Sequence, residues 1–236
     1  MKESNPQSYI AWERPEVIQS FTRKSPSASL LEFVRTFSAG KTLRILDIGC
    51  GAGRHLRPLM EAGHDCTGTD VSDGMLNAAA GLLTGVSDNI RQRLHKAPMD
   101  ALPFQNESFE LIVCHGVWNL ARTEHELRGA IAEAARVADS GSALYLTTFS
   151  RNTLPPEAAP VTGSDFIFTD FNNEPQTFLT SAQLNLELHE AGFVADLKHP
   201  VRELNRPAYW EKTSSTGLSI VGAKRPVLLE GVWIKR

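Results

Sequence analysis

Three glycines at alternate positions, Gly49, Gly51 and Gly53, follow the apolar run "LRILDI" and precede Arg54. Lacking a Cβ, such positions let the backbone approach a ligand closely and adopt φ above zero. The N-terminus of a helix that follows would add N–H donors and a field that favours an anion. One acid lies inside the run, Asp47, and two more follow at Asp70 and Asp100. An acid at the end of a second strand can accept hydrogen bonds from both hydroxyls of a ribose, and it repels a ribose phosphate. The pattern is that of a nucleotide-binding loop. A phosphate-cradling loop needs Gly-Lys-Ser/Thr, and none occurs in the chain. A dinucleotide fingerprint needs a third glycine where Arg54 stands, which counts against that ligand.

These residues need elements to hold them. Residues 43–48 read as a short buried strand, and 54–62 as a helix stopped by Gly63. "DCTGTDVS" (65–72) is a second strand ending at Asp70, and Ser72 or Asp73 caps the helix "GMLNAAAGLL". A short third strand lies within 90–99, and "FELIVCHGV" (109–117) is a fourth. Thr123, with Glu126 three residues on, opens a helix, and a fifth strand follows at 143–149. Strand and helix alternate with short connections, so the chain predicts a doubly wound α/β sheet with helices on both faces. Ahead of it, residues 1–40 read as two helices, the second capped by Ser27 or Ser29. Residues 150–178 carry four prolines and the aromatics Phe166, Phe168, Phe171 and Phe178. They read as an insertion over the sheet's carboxyl edge, too short for a core of its own. A capped helix at 180–193 and strands at 194–199 and 217–225 complete the reading.

"LDIGCGAG" resembles the first motif of the class I S-adenosylmethionine (SAM)-dependent methyltransferases, in particular the small-molecule type 11 and type 25 families. "GTDVSDGML", "APMDALPFQNESFELIVC", "EAARVADSGSALYLTTF", "LHEAGF" and "IVGAKR" are similar to the family's later elements, in order, over roughly residues 43–225. The turn into the fifth strand departs from the family's form, reading Arg-Val-Ala-Asp-Ser-Gly-Ser. The resemblance implies a Rossmann-like sheet of seven mostly parallel strands, order 3-2-1-4-5-7-6, with an antiparallel last strand. It implies an N-terminal helical lid over 1–40 and a methyltransferase domain over 41–236. It also implies SAM as cofactor, with S-adenosylhomocysteine as product.

Carried over residue by residue, the loop supplies Gly49, Cys50, Gly51 and Gly53 around the methionine moiety. Asp47 sits beneath it, or only ties the loop together. Asp70 takes the ribose, Val71 and Met99 flank the adenine, and Asp100 with the Ala101 N–H addresses its edge. Cys114 and His115 end the fourth strand beside the methionine. Arg54 or Arg14 would pair with the carboxylate, and Tyr9, Trp12 and Arg14 are candidate lid residues.

Methyl transfer needs alignment and exclusion of water more than a fixed triad, and a base only if the acceptor must lose a proton. His115 is the candidate base or hydrogen-bond donor. Trp118, Asn119 and Arg122 are the candidate substrate residues, Trp118 stacking on the acceptor or packing under the insertion. His125 reads as a solvated helix residue. The insertion's phenylalanines, with Tyr209 and Trp210, roof an acceptor or form a small core of their own. No metal-ligand spacing is present, so no metal is expected.

The formal net charge of −3 speaks against a partner held through its phosphates. So does "CHGV", standing where methyltransferases of nucleic-acid bases carry Asp/Asn-Pro-Pro-aromatic. Cys50, Cys66 and Cys114 are odd in number and unpaired by spacing, which predicts reduced thiols in the cytoplasm. No signal peptide or membrane span is expected. The reading is thus a cytoplasmic enzyme acting on a small molecule. Its alternatives are a methyltransferase of RNA or protein, a SAM-binding protein without transferase activity, and an NAD-dependent enzyme.

Overall fold

The structure, a computed structural model, describes residues 10–87, 89–205 and 225–236. Its helices are α1 (Pro15–Thr22), α2 (Ala28–Ser38), α3 (Leu56–Glu61), α4 (Asp73–Leu82), α5 (Glu124–Val137) and α6 (Ser181–Glu190). Its strands begin with β1 (Arg44–Ile48), β2 (Asp65–Asp70), β3 (Leu94–Lys96), β4 (Phe109–His115) and β5 (Ala138–Phe149). They continue with β6 (Ile167–Phe168), β7 (Gln176–Thr177), β8 (Phe193–Ala195), β9 (Arg202–Leu204) and β10 (Leu228–Lys235).

The main sheet runs β3-β2-β1-β4-β5-β10-β8, with β9 also paired to β10. Strands β1 to β5 are mutually parallel, and β10 is antiparallel to β5, β8 and β9. This is the predicted order, with the last strand placed between the fifth and the sixth.

Period-two alternation sorts the strands onto two faces. Leu46, Ile112, Leu144 and Trp233 pack against α5 and α6. Ile45, Leu111, Tyr145 and Val232 pack against α2 and α3. Both faces are covered, so the central strands read as continuous apolar runs. The three cysteines are free and buried, and burial pushes every thiol pKa up.

Caps fall where the sequence put them. Ser27 accepts from Leu30 N, Ser72 from Met75 N and Thr123 from Glu126 N. Thr180 and Gln183 form a full capping box on α6. At α5 the reciprocal half is missing, because Glu126 Oε2 accepts from Arg122 N at 2.8 Å instead.

Three differences have physical causes. The last strand that the structure describes is β10, beyond the predicted 217–225, which lies outside the described residues but for Arg225. Its "LLEGVWIK" alternates around a buried Glu230, which breaks the apolar run that a sequence reading follows. The predicted strand 194–199 stops at Ala195, where an Asp196–His199 hydrogen bond of 2.7 Å turns the chain. Strand β5 starts early, at Ala138, because the chain passes straight from α5 into pairing with Phe109.

The N-terminal region divides in two. Helix α2 buries Leu30, Phe33 and Val34 in the core, whereas α1 has no buried residue. In the 150–178 segment, β6 and β7 pair, and Leu154, Phe168 and Phe178 form a small cluster. Phe166 joins the main core.

Candidate active site

A cleft of about 1010 Å³ opens at the carboxyl ends of β1, β2, β4 and β5. This is where the strand order reverses and where open α/β sheets hold their ligands. Of the residues singled out from sequence, Gly49, Cys50, Gly51, Asp70, Val71, Met99, Asp100, His115, Asn119 and Arg122 line it, as do Trp12, Arg14 and Arg54.

The loop after β1 is fixed by Asp70. One carboxylate oxygen accepts from Gly51 N at 2.9 Å, and the other accepts from Ser72 N at 2.9 Å. Burial raises the Asp70 pKa, and these amide bonds oppose the rise. The carboxylate keeps free lone pairs for further donors. Gly49 has φ +69°, and a Cβ there would come within 2.7 Å of Val117 Cγ2. Gly51, at φ +52°, is less crowded: a Cβ there would make an ordinary van der Waals contact with Phe21 Cδ1 at 3.8 Å.

Beneath the loop lies a compact polar group. Asp47 is 1% exposed, and its Oδ2 has no hydrogen-bond partner. Burial pushes its pKa up to about 7, against the pull of Arg54. His55 Nδ1 stands 3.8 Å from Asp47 Oδ2, and burial holds His55 neutral far below its usual range. Arg54 Nη2 lies 3.1 Å from His115 Nδ1, and Arg54 Nη1 donates to Ser25 O at 3.3 Å. Burial, then the charge of Arg54, lowers the His115 pKa to about 4.

The residues before α2 close one side. Ser72 Oγ donates to Trp12 O at 3.3 Å, and Gly74 N donates to Glu13 Oε2 at 3.1 Å. Trp12 meets Phe21 edge-on at 5.5 Å between centroids. On the opposite rim, Arg122 pairs with Glu174 at 2.5 Å.

Five expected site residues stand back from the cleft. Asp47 lies under the loop. Gly53 faces α4, where a Cβ would come within 3.1 Å of Ala79 Cβ. Ala101 is exposed, and its N–H is used by Pro98 O at 3.3 Å. Cys114 and Trp118 belong to the main core, so Trp118 packs rather than stacks on a ligand. Tyr9, Tyr209 and Trp210 lie outside the described residues. His125 is exposed in the first turn of α5.

The sequence reading missed Phe21, Lys24, His55, Thr147, Phe149 and Gln176, all of which line the cleft. Thr147 and Phe149 could have been found, since they end β5 on the edge where ligands bind. Lys24 carries no motif; only the path of α1 brings it here. Among the described residues no group of three or more His, Cys, Asp or Glu side chains could hold a metal ion. None of their helices is long and apolar enough to cross a membrane.

Residues 45–141 match the family model described as "Methyltransferase domain". The ubiquinone biosynthesis O-methyltransferase of Hahella chejuensis is 31% identical over 126 residues, 52% of this chain and 50% of the relative. The chain spans about half the length of the first curated relatives it matches. Among solved structures, a SAM-dependent methyltransferase from Methanosarcina mazei superposes with a TM-score of 0.66 at 20% identity, covering 90% of this chain and 99% of that one. The 1,6-didemethyltoxoflavin-N1-methyltransferase of Burkholderia thailandensis, solved with its substrate and S-adenosylhomocysteine, gives 0.67 at 16% identity over 100% of this chain and 92% of that one. Residues 45–141 thus match the methyltransferase-domain family model, and the chain shares its Rossmann-like fold with solved SAM-dependent methyltransferases.

Proposed function

We propose that the protein is a SAM-dependent methyltransferase acting on a small molecule. The observation that carries this is the Asp70 carboxylate, set at the cleft wall by Gly51 and Ser72 N–H groups with acceptor capacity to spare. That arrangement fits a ribose diol. Val71 and Met99 flank the place for the adenine, and Asp100 offers an acceptor to its amino group. The less crowded face of Gly51 admits the amino-acid end close to the backbone. Arg54 is the cation for its carboxylate. Asp47 has an orphaned buried oxygen under the loop, suited to a donor from above.

SAM, when bound, supplies an activated methyl group on a sulfonium. The chain's own work is to bind, align and exclude water. The turn at Ile10–Glu13 and α1 form the near wall, and we assign them the role of lid. Asn119, 2% exposed with an unpartnered Oδ1, and Arg122 on the rim are the polar contacts for the acceptor. His115 is the residue placed to touch its reacting group. An acidic chain with "CHGV" after β4 favours a small molecule over RNA. Three buried, unpaired thiols fit the reducing cytoplasm.

Calorimetry with SAM, S-adenosylhomocysteine and NAD tests the cofactor. SAM and its product should bind, and NAD should not. Binding of NAD without SAM would sink the reading. Methyl-labelled SAM incubated with fractionated metabolites then tests transfer. Label entering only macromolecules would redirect the assignment to RNA or protein.

A further inference from the structure

The cleft's charges are segregated. Asp70 and Asp100 lie at the tips of β2 and β3, while Lys24 and Arg54 lie by the β1 loop and the end of β4. On the rim, Glu126 is held by Arg122 N and Glu174 by the Arg122 guanidinium. Neither Lys24 nor Arg54 has a carboxylate within ion-pair distance among the described residues. Lys24 Nζ sits 3.7 Å over the Phe21 ring, and partial burial and then Arg54 depress its pKa. The acid acting on Arg54 is Asp47, whose charged form burial disfavours. The cofactor of the proposed function adds a sulfonium and an ammonium against one carboxylate. Arg54 answers that carboxylate; with Arg14 also lining the cleft, its four cations balance Asp70, Asp100, Glu126 and Glu174, and the cofactor's net positive charge is left over.

His115 sharpens the point. A guanidinium can only donate, so His115 Nδ1 accepts from Arg54 and the ring proton is on Nε2. Its Nε2–H is given no hydrogen bond to another described residue. In this arrangement His115 offers a proton donor to the cleft and cannot serve as a base. Across the sheet register from His115 stands Thr147, 1% exposed, with an unpartnered hydroxyl. Beyond them Phe149 and Phe171 meet at 5.4 Å, and Pro226 and Leu228 complete an apolar wall.

We propose that the acceptor binds as an anion: a flat, mostly apolar molecule whose oxyanion lies against Lys24 and the Nε2–H of His115, with its body on Phe149 and Phe171. This rests on the methyltransferase reading. It accounts for the unpaired cation, the donor tautomer and the aromatic wall together. Where that oxyanion is itself the methylated atom, the O–CH3 bond forms as the S–CH3 bond breaks, no proton is lost and no base is needed.

The test uses the full chain and three phenyl probes: benzoate, its neutral near-isostere benzamide, and the larger anion phenyl phosphate. Each is titrated with and without saturating S-adenosylhomocysteine, by calorimetry and by NMR of the His115 ring. At least one anion should bind at least ~10-fold more tightly than benzamide and shift the His115 signals, ~10-fold being about 1.4 kcal/mol. Lys24 is exposed, so Lys24→Gln should fold; it should abolish the preference while S-adenosylhomocysteine affinity stays within about twofold. Equal affinity for all three probes, no binding of either anion, or a preference unchanged in Lys24→Gln overturns the inference. Loss of S-adenosylhomocysteine binding with the anion preference intact would instead overturn the cofactor reading and leave the anion site standing.

Discussion

Asp70 is the residue on which loop and ligand both depend. Asp70→Ala removes an acceptor from Gly51 and Ser72 and, in the proposed function, from the ribose. Charge-assisted bonds of this kind are worth about 1.5–3 kcal/mol, so calorimetry should show cofactor affinity falling at least ~10-fold. Unchanged affinity in a folded variant would remove Asp70 from the site. Asp47 predicts a pH signature. Its folded pKa of about 7 exceeds the ordinary 3.8, so between those values the folded state holds a proton that the unfolded state has lost. On this group's account stability falls as pH rises across that window. His55 acts oppositely, since its depressed pKa costs stability as pH falls below 6.5. Asp47→Asn removes the first effect and keeps the second. Thermal melts should therefore show the variant gaining on the wild type from about pH 5 to about pH 8, by a few kcal/mol at roughly 1.4 per pKa unit. A gap that does not change with pH would show that the buried carboxylate carries no such cost.

At the scale of elements, α1 and the turn before it hold to the rest by few bonds. Glu13 accepts from the first turn of α4 through Gly74 N, and Ser72 reaches Trp12 O. Helix α1 has no fully buried residue, only the half-buried Val17, Ile18 and Phe21, so its docking free energy is small. Limited proteolysis should cut first within residues 10–25, and S-adenosylhomocysteine should slow the cut. Glu13→Ala should speed cleavage without lowering the main thermal transition. Cleavage indifferent to ligand would mean that this segment is no lid. The same elements show what a sequence makes legible. Glycine spacing, strand-end acids and caps are local signals, and they placed β1, β2, α4 and the glycine-loop side of the cleft. Lys24 is brought there only by tertiary packing, and Thr147 gave no sign beyond its place at a strand end. Trp118 looked like a ligand contact because exposure cannot be read from residue type. Gly53 looked like part of the cradle, yet it serves the approach of α4.

Across the whole molecule, the order of the sheet was readable because alternating strands and helices permit few windings. The position of the last strand was not, since Glu230 interrupts the apolar pattern of β10 and is satisfied by groups distant in sequence, Ser29 and Arg202. Every sulfhydryl is buried as well, that of Cys50 beside the cleft included. Cys50, Cys66 and Cys114 are all the cysteines in the chain, each is shielded, and each has its thiolate disfavoured. The native protein should therefore be silent to maleimides until it unfolds. Asn172→Cys, on the rim of the cleft, would give one addressable position for a fluorophore or spin label, and occupancy of the cleft could then be followed for any candidate ligand, whatever its chemistry.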